Sequence, residues 1–515
     1  MDERQRHHPC RMRPRQQTEN DAKEQHMTAR TDPQLFDPTR WEGLLADVAR
    51  RHEVPGIVAG VLHVDPVSDA EQRFVAATGI SNLRTEVGTD RTTLCQIGSI
   101  TKLLTSTMIM QLVDEGKLSL DTPVSEILPD LSFAELDPAE LTVEHLLAHT
   151  SGLDGDLFTD TGRGDDCVEK YVATLSEAKS LFSPGTGFSY CNSGFVIAGR
   201  IIEVLDEVTW DRALNTRICQ RLGNEHMFTL AEDIMSHRHQ HGHVAIPGTD
   251  TWMPAPVSQI TRSMGPAGLV TCSADDLLGF GAAVLRSGRT STGVPILSED
   301  SLRLMSEPRH TLIEQAASTA PQWGLGWMID EWEGQKLQWH GGTTIGNNAW
   351  FQVLPASGLA FVVFCNGGVA AHAAAEIYGA FARTFAGIDA PPATRPRSDR
   401  PAVAIPESRL GDYADASTAL TVLRTDDGTY RARIRSSLGE GDEAPVQTMD
   451  LHPSGNEAFV LGRPDARSAW MPMAFAEVDG RDVAYVGIRC LPRAEARPDS
   501  TDTESADAPV SGDDA

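Results

Sequence analysis

The sequence predicts an α/β (α+β) protein in which an antiparallel sheet is flanked by helices, with a small antiparallel β-barrel following it. Three observations carry that expectation. Residues 56–64 (GIVAGVLHV) and 73–78 read as strands that feed a strongly apolar helical run within 96–120. The segments WGLGWMID, KLQWHGGTTIGNNAWFQVLP and LAFVVFCNG read as adjacent antiparallel strands joined by short turns, ahead of an alanine-rich helix at about 370–385. Residues from about 408 to 493 alternate short strand signals with turns and show almost no helical period, as a small barrel would.

Taken in order, residues 1–30 are polar and arginine-rich and are expected to be a disordered extension, with Met27 as an alternative start. They lack the apolar stretch of a secretory signal, which predicts a cytoplasmic protein. An amphipathic helix is expected at 41–51, then the two strands, then a loop at 79–93. The run QIGSITKLLTSTMIMQLVDEGKLSL is apolar on nearly every side of a 3.6-residue helix, so it is expected to be buried and to end at Gly116. Ser99 and Lys102 stand one turn apart at its start, on one face. A hydrophobic helix gains no stability by burying a lysine. Service as a base at pH 7 requires its pKa to fall by roughly 3 units, about 4 kcal/mol, and desolvation and the helix N-terminus both act in that direction. Lysine is scarce here, and of the six only Lys102 lies in an apolar run. A second SxxK, Ser176 and Lys179, reads as a helix N-cap.

The phrase LTVEHLLAHTSGL predicts a short helix closed by Gly152, with His145 and His149 at i and i+4 in packing and capping roles. In SPGTGFSYCNSGFVIAGRIIEVL, Tyr190 and Asn192 precede an amphipathic helix, and alone they read as an aromatic anchor and an N-cap. His237, His239, His241 and His243 alternate as one face of a strand would, and read as surface rather than as a metal site. Ser273 opens a helix with acids in its first turn. Trp323, Trp327, Trp339 and Trp350 read as sheet core, with Trp339 able to border a pocket. His340, Gly341, Gly342 and Thr343 admit either a structural bulge or a strand edge that a substrate backbone can approach, with a backbone N–H for an anion.

The 515 residues carry a formal charge of −28, which argues against nucleic-acid and anionic-membrane partners. Eight scattered cysteines without a CxxC pair fit reduced thiols. No window approaches the length of a membrane span.

Ser99-Ile-Thr-Lys102, Tyr190-Cys-Asn192 and His340-Gly-Gly342, in that order, resemble the motifs of the penicillin-recognising serine enzymes. The later two differ from the SDN and KTG of the class A branch and point to the class C β-lactamase and D-Ala-D-Ala carboxypeptidase/esterase branch. The phrases LLAHTSGL and GPAGLVT are also similar to that family's. The resemblance implies a β-lactamase-like domain over 31–388 with a mostly helical subdomain at roughly 118–320. A proline-rich linker is then expected at 389–406, a lipocalin-like barrel at 407–496 and an acidic disordered tail at 497–515. It implies that Ser99 is acylated, that Lys102 removes its proton, and that Tyr190, tuned by His340, relays protons to the leaving group. Backbone N–H groups of Ser99 and Thr343 would form the oxyanion hole, Asn192 would hold a substrate amide, and no metal or cofactor is needed. Gly341 stands where relatives commonly carry a hydroxyl residue, which removes a contact to a substrate carboxylate. A small-molecule or peptide ester, thioester or amide is the expected substrate. D-aminopeptidase, D-Ala-D-Ala carboxypeptidase, β-lactamase and peptide-cyclising penicillin-binding-protein-type thioesterase remain alternatives, as does a binding homologue without turnover.

Overall fold

All nine residues of strand β1 (Gly56–Val64) are buried. An almost unbroken apolar run requires this, because a strand presents side chains to both faces of its sheet. The computed structural model describes residues 32–246, 249, 251–312, 321–391, 395–396, 404–436, 446–454, 458–462 and 470–494. The expected N-terminal extension, most of the linker and the acidic tail lie outside the described residues. Strand β1 is joined by β2 (Glu71–Asn82), β3 (Val87–Gly88), β4 (His310–Thr311), β5 (Gln322–Trp323), β6 (Met328–Trp332), β7 (Gln335–Thr343), β8 (Asn348–Leu354) and β9 (Leu359–Cys365). They form one antiparallel sheet in the order β3-β2-β1-β9-β8-β7-β6-β5-β4.

Six helices position the rest: α1 (Thr39–Arg51), α2 (Thr101–Asp114), α3 (Val143–Leu147), α4 (Asn192–Asp206), α5 (Ala274–Leu285) and α6 (Ala370–Phe381). Alternate β1 residues sort to the two faces. Val58 and Leu62 join the core built around α2, α4 and α5, while Ile57, Ala59 and Val61 join a second core under α1 and α6. Trp41 of α1 stacks on Phe74 of β2 and donates its indole N–H to Leu35 O at 2.8 Å. Helix α2 is buried from Thr101 to Leu112, as its all-round apolar pattern requires. Between β3 and β4 the chain leaves the sheet for the remaining helices and two small sheets, one of which pairs Cys95–Gln96 with Thr271–Cys272. Among the described residues no helix is long and apolar enough to cross a membrane.

A second unit follows. Strands β10 (Gly411–Ala414), β11 (Thr418–Arg424), β12 (Tyr430–Ser436), β13 (Gln447–Pro453), β14 (Ala458–Gly462), β15 (Met471–Val478), β16 (Arg481–Val486) and β17 (Arg489–Pro492) pair consecutively. A bridge between Tyr413 and Arg493 brings the first and last together, so the sheet is a nearly closed barrel. Its filling obeys the period of two: Leu420 and Val422 of β11 point inward with Ala432, Leu461, Met473 and Leu491.

Several expectations about local structure are corrected. Strand β2 runs on to Asn82, because the Asn366 amide caps the Ile80 and Ser81 carbonyls at 3.0 and 3.1 Å. Helix α3 ends at Leu147, so His149 lies beyond it, in a left-handed conformation at φ +58°. Of the four alternating histidines only His243 lies on a strand. Its Nδ1 donates to Asn366 O at 2.8 Å and its Nε2 accepts from Leu83 N–H at 3.0 Å, which makes it a structural tie. Ser176 sits inside a short 3-10 turn rather than capping a helix, and Lys179 is exposed.

Strand β7 passes against the turn that carries Ser99. A β-carbon at Gly342 would stand 1.8 Å from Ile97 O and 2.9 Å from Ser99 N, so only glycine fits there. The same carbon at Gly341 would meet nothing nearer than 3.6 Å. Gly342→Ala is therefore expected to destabilise the protein by about 2–3 kcal/mol, whereas Gly341→Ala should cost under ~1 kcal/mol. Urea denaturation of the two variants checks this, and equal losses would contradict the packing argument.

Candidate active site

The short 3-10 turn Gly98–Ile100 leads directly into α2. Gly98 has φ +52°, and a β-carbon on it would fall 2.8 Å from Thr343 N. The turn and the strand thus touch backbone to backbone, which sets the N–H groups of Ser99 and Thr343 at one place. Ser99 is half-buried while its neighbours on either side are buried, so it is the residue of the turn that reaches solvent.

Lys102, one turn on, has no exposed surface. Its Nζ lies 3.1 Å from Ser99 Oγ, 2.7 Å from Asn192 Oδ1 and 2.6 Å from Ala267 O. The ammonium position is also 4.9 Å from the centre of the Tyr190 ring and 5.6 Å from that of Phe195. Burial lowers its pKa from the usual 10.5 to about 7; Asp156 pushes the other way and Arg489 pushes with burial.

The Asn192 side chain is oriented by its neighbours. Its Nδ2 donates to Asp156 Oδ1, and a carboxylate only accepts, so the amide oxygen faces Lys102. Asn192 is the first residue of α4 rather than the N-cap; that place belongs to Cys191, whose sulfur accepts from Gly194 N–H at 3.3 Å. Tyr190 precedes it in extended chain and stacks on His149, with ring centres 4.3 Å apart. His149 accepts the Cys191 N–H at Nδ1 (2.9 Å), and its carbonyl accepts from Ser189 N–H at 3.0 Å. Burial drives the Tyr190 phenol well above its usual range, and the adjacent Ser99 hydroxyl pulls it partly back.

His340 is fully buried, its ring centre 6.3 Å from that of Tyr190. Nδ1 meets the Gly341 carbonyl at 2.5 Å, so the proton sits there and Nε2 keeps the lone pair. Burial, reinforced by Lys102, brings its pKa down to about 3, and the ring is neutral at physiological pH. Pairing of β7 with β6 stops at Trp339, so among the described strands residues 340–343 pair only with β8. The structure brings the eight residues singled out in the sequence into one neighbourhood: contacts link Ser99, Lys102, Asn192, Tyr190 and His340, and Gly341, Gly342 and Thr343 follow His340 on the strand that packs against the Ser99 turn.

Three contributors, Ala267, Asp156 and Arg489, are not marked in the sequence, and a fourth, His149, reads there only as a packing and capping residue. Ala267 acts through a backbone carbonyl, which side-chain identity does not reveal, although it lies in the GPAGLVT phrase. His149 lies in LLAHTSGL but reads as helical until its left-handed turn is seen. Asp156 follows no pattern. Arg489 comes from the barrel, and its Nε donates to Asp156 Oδ2 at 2.6 Å.

A serine hydroxyl beside a buried amine is the arrangement on which acyl-enzyme serine hydrolases are built. A family model described as Beta-lactamase matches residues 33–383. The chain is 34% identical over 366 residues to penicillin-binding protein 4 of Amycolatopsis lactamdurans, covering 71% of this chain and 94% of that one. It belongs to the β-lactamase and penicillin-binding-protein family, and is a serine hydrolase of that kind. Among solved structures, SurE matches with a TM-score of 0.70 at 24% identity, over 90% of this chain and 100% of that one. That share is too large for the sheet-and-helix unit alone, so the likeness in fold includes the barrel. The D-amino acid amidase of Ochrobactrum anthropi SV3, complexed with L-phenylalanine amide, matches at 0.52 and 21% over 64% and 90%.

The burial of Lys102 has a thermodynamic signature. Its pKa is about 7 when folded and roughly 10.4 when unfolded. The unfolded state therefore binds the extra proton between those values, so stability rises with pH through that window. Lys102→Met lacks the titration, and its stability relative to wild type should fall by about 2 kcal/mol between pH 7 and pH 9. Denaturation at the two pH values measures this; an unchanged difference would show that the amine is not desolvated.

Proposed function

We propose that the protein cleaves or transfers the acyl group of an ester, thioester or amide through an acyl-enzyme on Ser99, with Lys102 as base and Tyr190 as proton relay. The observation that carries this is the set of three oxygens around Lys102 Nζ. Two of them, Asn192 Oδ1 and Ala267 O, can only accept, and they occupy both N–H bonds of a neutral amine. The lone pair is then left for the Ser99 hydroxyl. With burial holding the pKa at about 7, a large fraction of the amine is neutral at physiological pH, which suits a general base.

In this reading Lys102 takes the Ser99 proton as Oγ bonds to the acyl carbon. The negative charge that develops on the acyl oxygen is met by the N–H groups of Ser99 and Thr343. The Tyr190 phenol, kept protonated by burial, delivers a proton to the departing alcohol, thiol or amine, and the neighbouring neutral His340 keeps a buried acceptor at Nε2 that has no partner among the described residues. Water or an amine then attacks the acyl carbon and gives its proton to the Tyr190 phenolate, while Lys102 returns its proton to Ser99 Oγ as the acyl–oxygen bond breaks. Asn192 would hold the substrate amide through what remains of its hydrogen-bonding capacity. Residues 340–343, unpaired on one edge, suit a peptide-like acyl chain lying alongside them. Gly341 contributes no hydroxyl, so the reading does not rest on a substrate carboxylate, and the similarity to penicillin-binding protein 4 makes a penicillin a fitting probe.

Intact-mass spectrometry after exposure to a fluorophosphonate or a penicillin tests the proposal: wild type is expected to gain one adduct and Ser99→Ala none. Identical spectra would refute it. The acylation rate should rise with pH and reach half its maximum near pH 7, as the base loses its proton. Lys102→Ala should lower that rate at pH 7 by about 10²–10⁴-fold while the circular dichroism spectrum is retained. Retained acylation would assign the base to another group.

A further inference from the structure

The barrel reaches the site through its last hairpin. Ile488 O accepts the Tyr190 N–H at 3.0 Å, Cys490 N–H donates to Ser189 Oγ at 3.2 Å, and the Tyr485 hydroxyl donates to Phe188 O at 3.0 Å. Between these ties stands Arg489. Its guanidinium carbon is 5.5 Å from the centre of the Tyr190 ring, and its Nε and Nη2 both bind Asp156 Oδ2. A continuous chain results: Arg489 to Asp156, Asp156 to Asn192, Asn192 to Lys102.

The chain poses an electrostatic problem. Asp156 orients the Asn192 amide because a carboxylate can only accept, but it also places a negative charge one side chain away from the amine. In a dry site such a charge favours the protonated amine, which cannot act as a base. A fixed cation on the far side of the carboxylate offsets it, and an arginine keeps its charge throughout. We propose that Arg489 is a positioning residue through which the barrel completes the base: it cancels the Asp156 charge, so that Asp156 can hold Asn192 without holding a proton on Lys102. This rests on the reading of Ser99 and Lys102 given above.

The other groups that face this chain are few. Around Lys102, burial keeps His149 and His340 neutral, Tyr190 as the phenol and Cys191 as the thiol. Around Asp156 and Arg489 stand two further carboxyls, Asp415 and Asp154, both raised by burial, the latter to about 6. Lys179 acts on the Asp154 carboxyl by charge alone and only weakly offsets its burial. None of these supplies a positive charge in direct contact with Asp156, as Arg489 does.

The test follows the acylation of Ser99 in the full chain by an uncharged fluorophosphonate ester, by intact mass, across roughly pH 5.5 to 9.5. With no carboxylate on the probe, substrate binding by Arg489 cannot imitate the effect. Arg489→Gln is expected to move the half-maximal pH upward by about one unit, with a roughly tenfold loss at pH 6.5 and a plateau within about threefold of wild type. Arg489→Lys should keep the wild-type midpoint, and Arg489→Gln combined with Asp156→Asn should return to it. A loss of equal factor at every pH, or a double variant that stays displaced, overturns the inference. Should Arg489→Gln fail to fold, Asp156→Asn alone is expected to lower the midpoint, and an unmoved or raised one overturns it. No adduct on wild type at any pH would refute the acyl-enzyme reading and this inference together. An adduct with a midpoint indifferent to Arg489 refutes this inference alone.

Discussion

The structure around the candidate site depends on one buried amine. Lys102 has no exposed surface, and placing a lysine there costs about 5 kcal/mol if its pKa falls from 10.5 to about 7. Nothing in the packing of α2 recovers that cost. What makes it tolerable is that the oxygens of Asn192, Ala267 and Ser99 satisfy the nitrogen's hydrogen-bonding capacity completely. The requirement propagates outward. Asn192 must be turned the right way, so Asp156 stands behind it, and Asp156 is in turn gripped by Arg489. Tyr190 must face the same point, so His149 takes up a left-handed conformation to hold the chain beside it.

The sheet supplies the opposite wall by close contact. Gly98 and Gly342 let the turn before α2 and strand β7 approach until a single β-carbon on either would collide with backbone. That approach brings the Ser99 and Thr343 amides to one place. The first lies on a turn packed into the core around α2, and the second on a central-sheet strand that contributes Leu337 to the other core.

The barrel is no distant appendage. It docks on residues 183–190 through Asp479, Tyr485, Ile488 and Cys490, and on Asp154 through the Ala416 N–H. Its own core is separate and packed by alternation. A second, smaller cluster joins Leu181 and Phe182 to Val483, Tyr485 and Cys490, so the interface has apolar content as well as hydrogen bonds. The segment just ahead of Tyr190 is thereby clamped from both sides, by His149 within the hydrolase unit and by the barrel hairpin.

Much of this was legible in the chain itself. The all-round apolar face of 101–112, the unbroken run at 56–64 and the two-residue period of the barrel strands are local patterns, set by how a helix or strand presents side chains to a dry interior. Ser99 and Lys102 stood out as candidates for the same reason: a lone lysine in an apolar helix has no structural excuse, and three spaced motifs together resembled one family. Tertiary structure alone decided the rest. The end of α3 before His149, the continuation of β2 to Asn82, and the contributions of Ala267, Asp156 and Arg489 depend on partners far off in sequence or on backbone carbonyls. A residue such as Arg489, more than three hundred positions from Asp156, carries no mark of that pairing until the fold brings the two together.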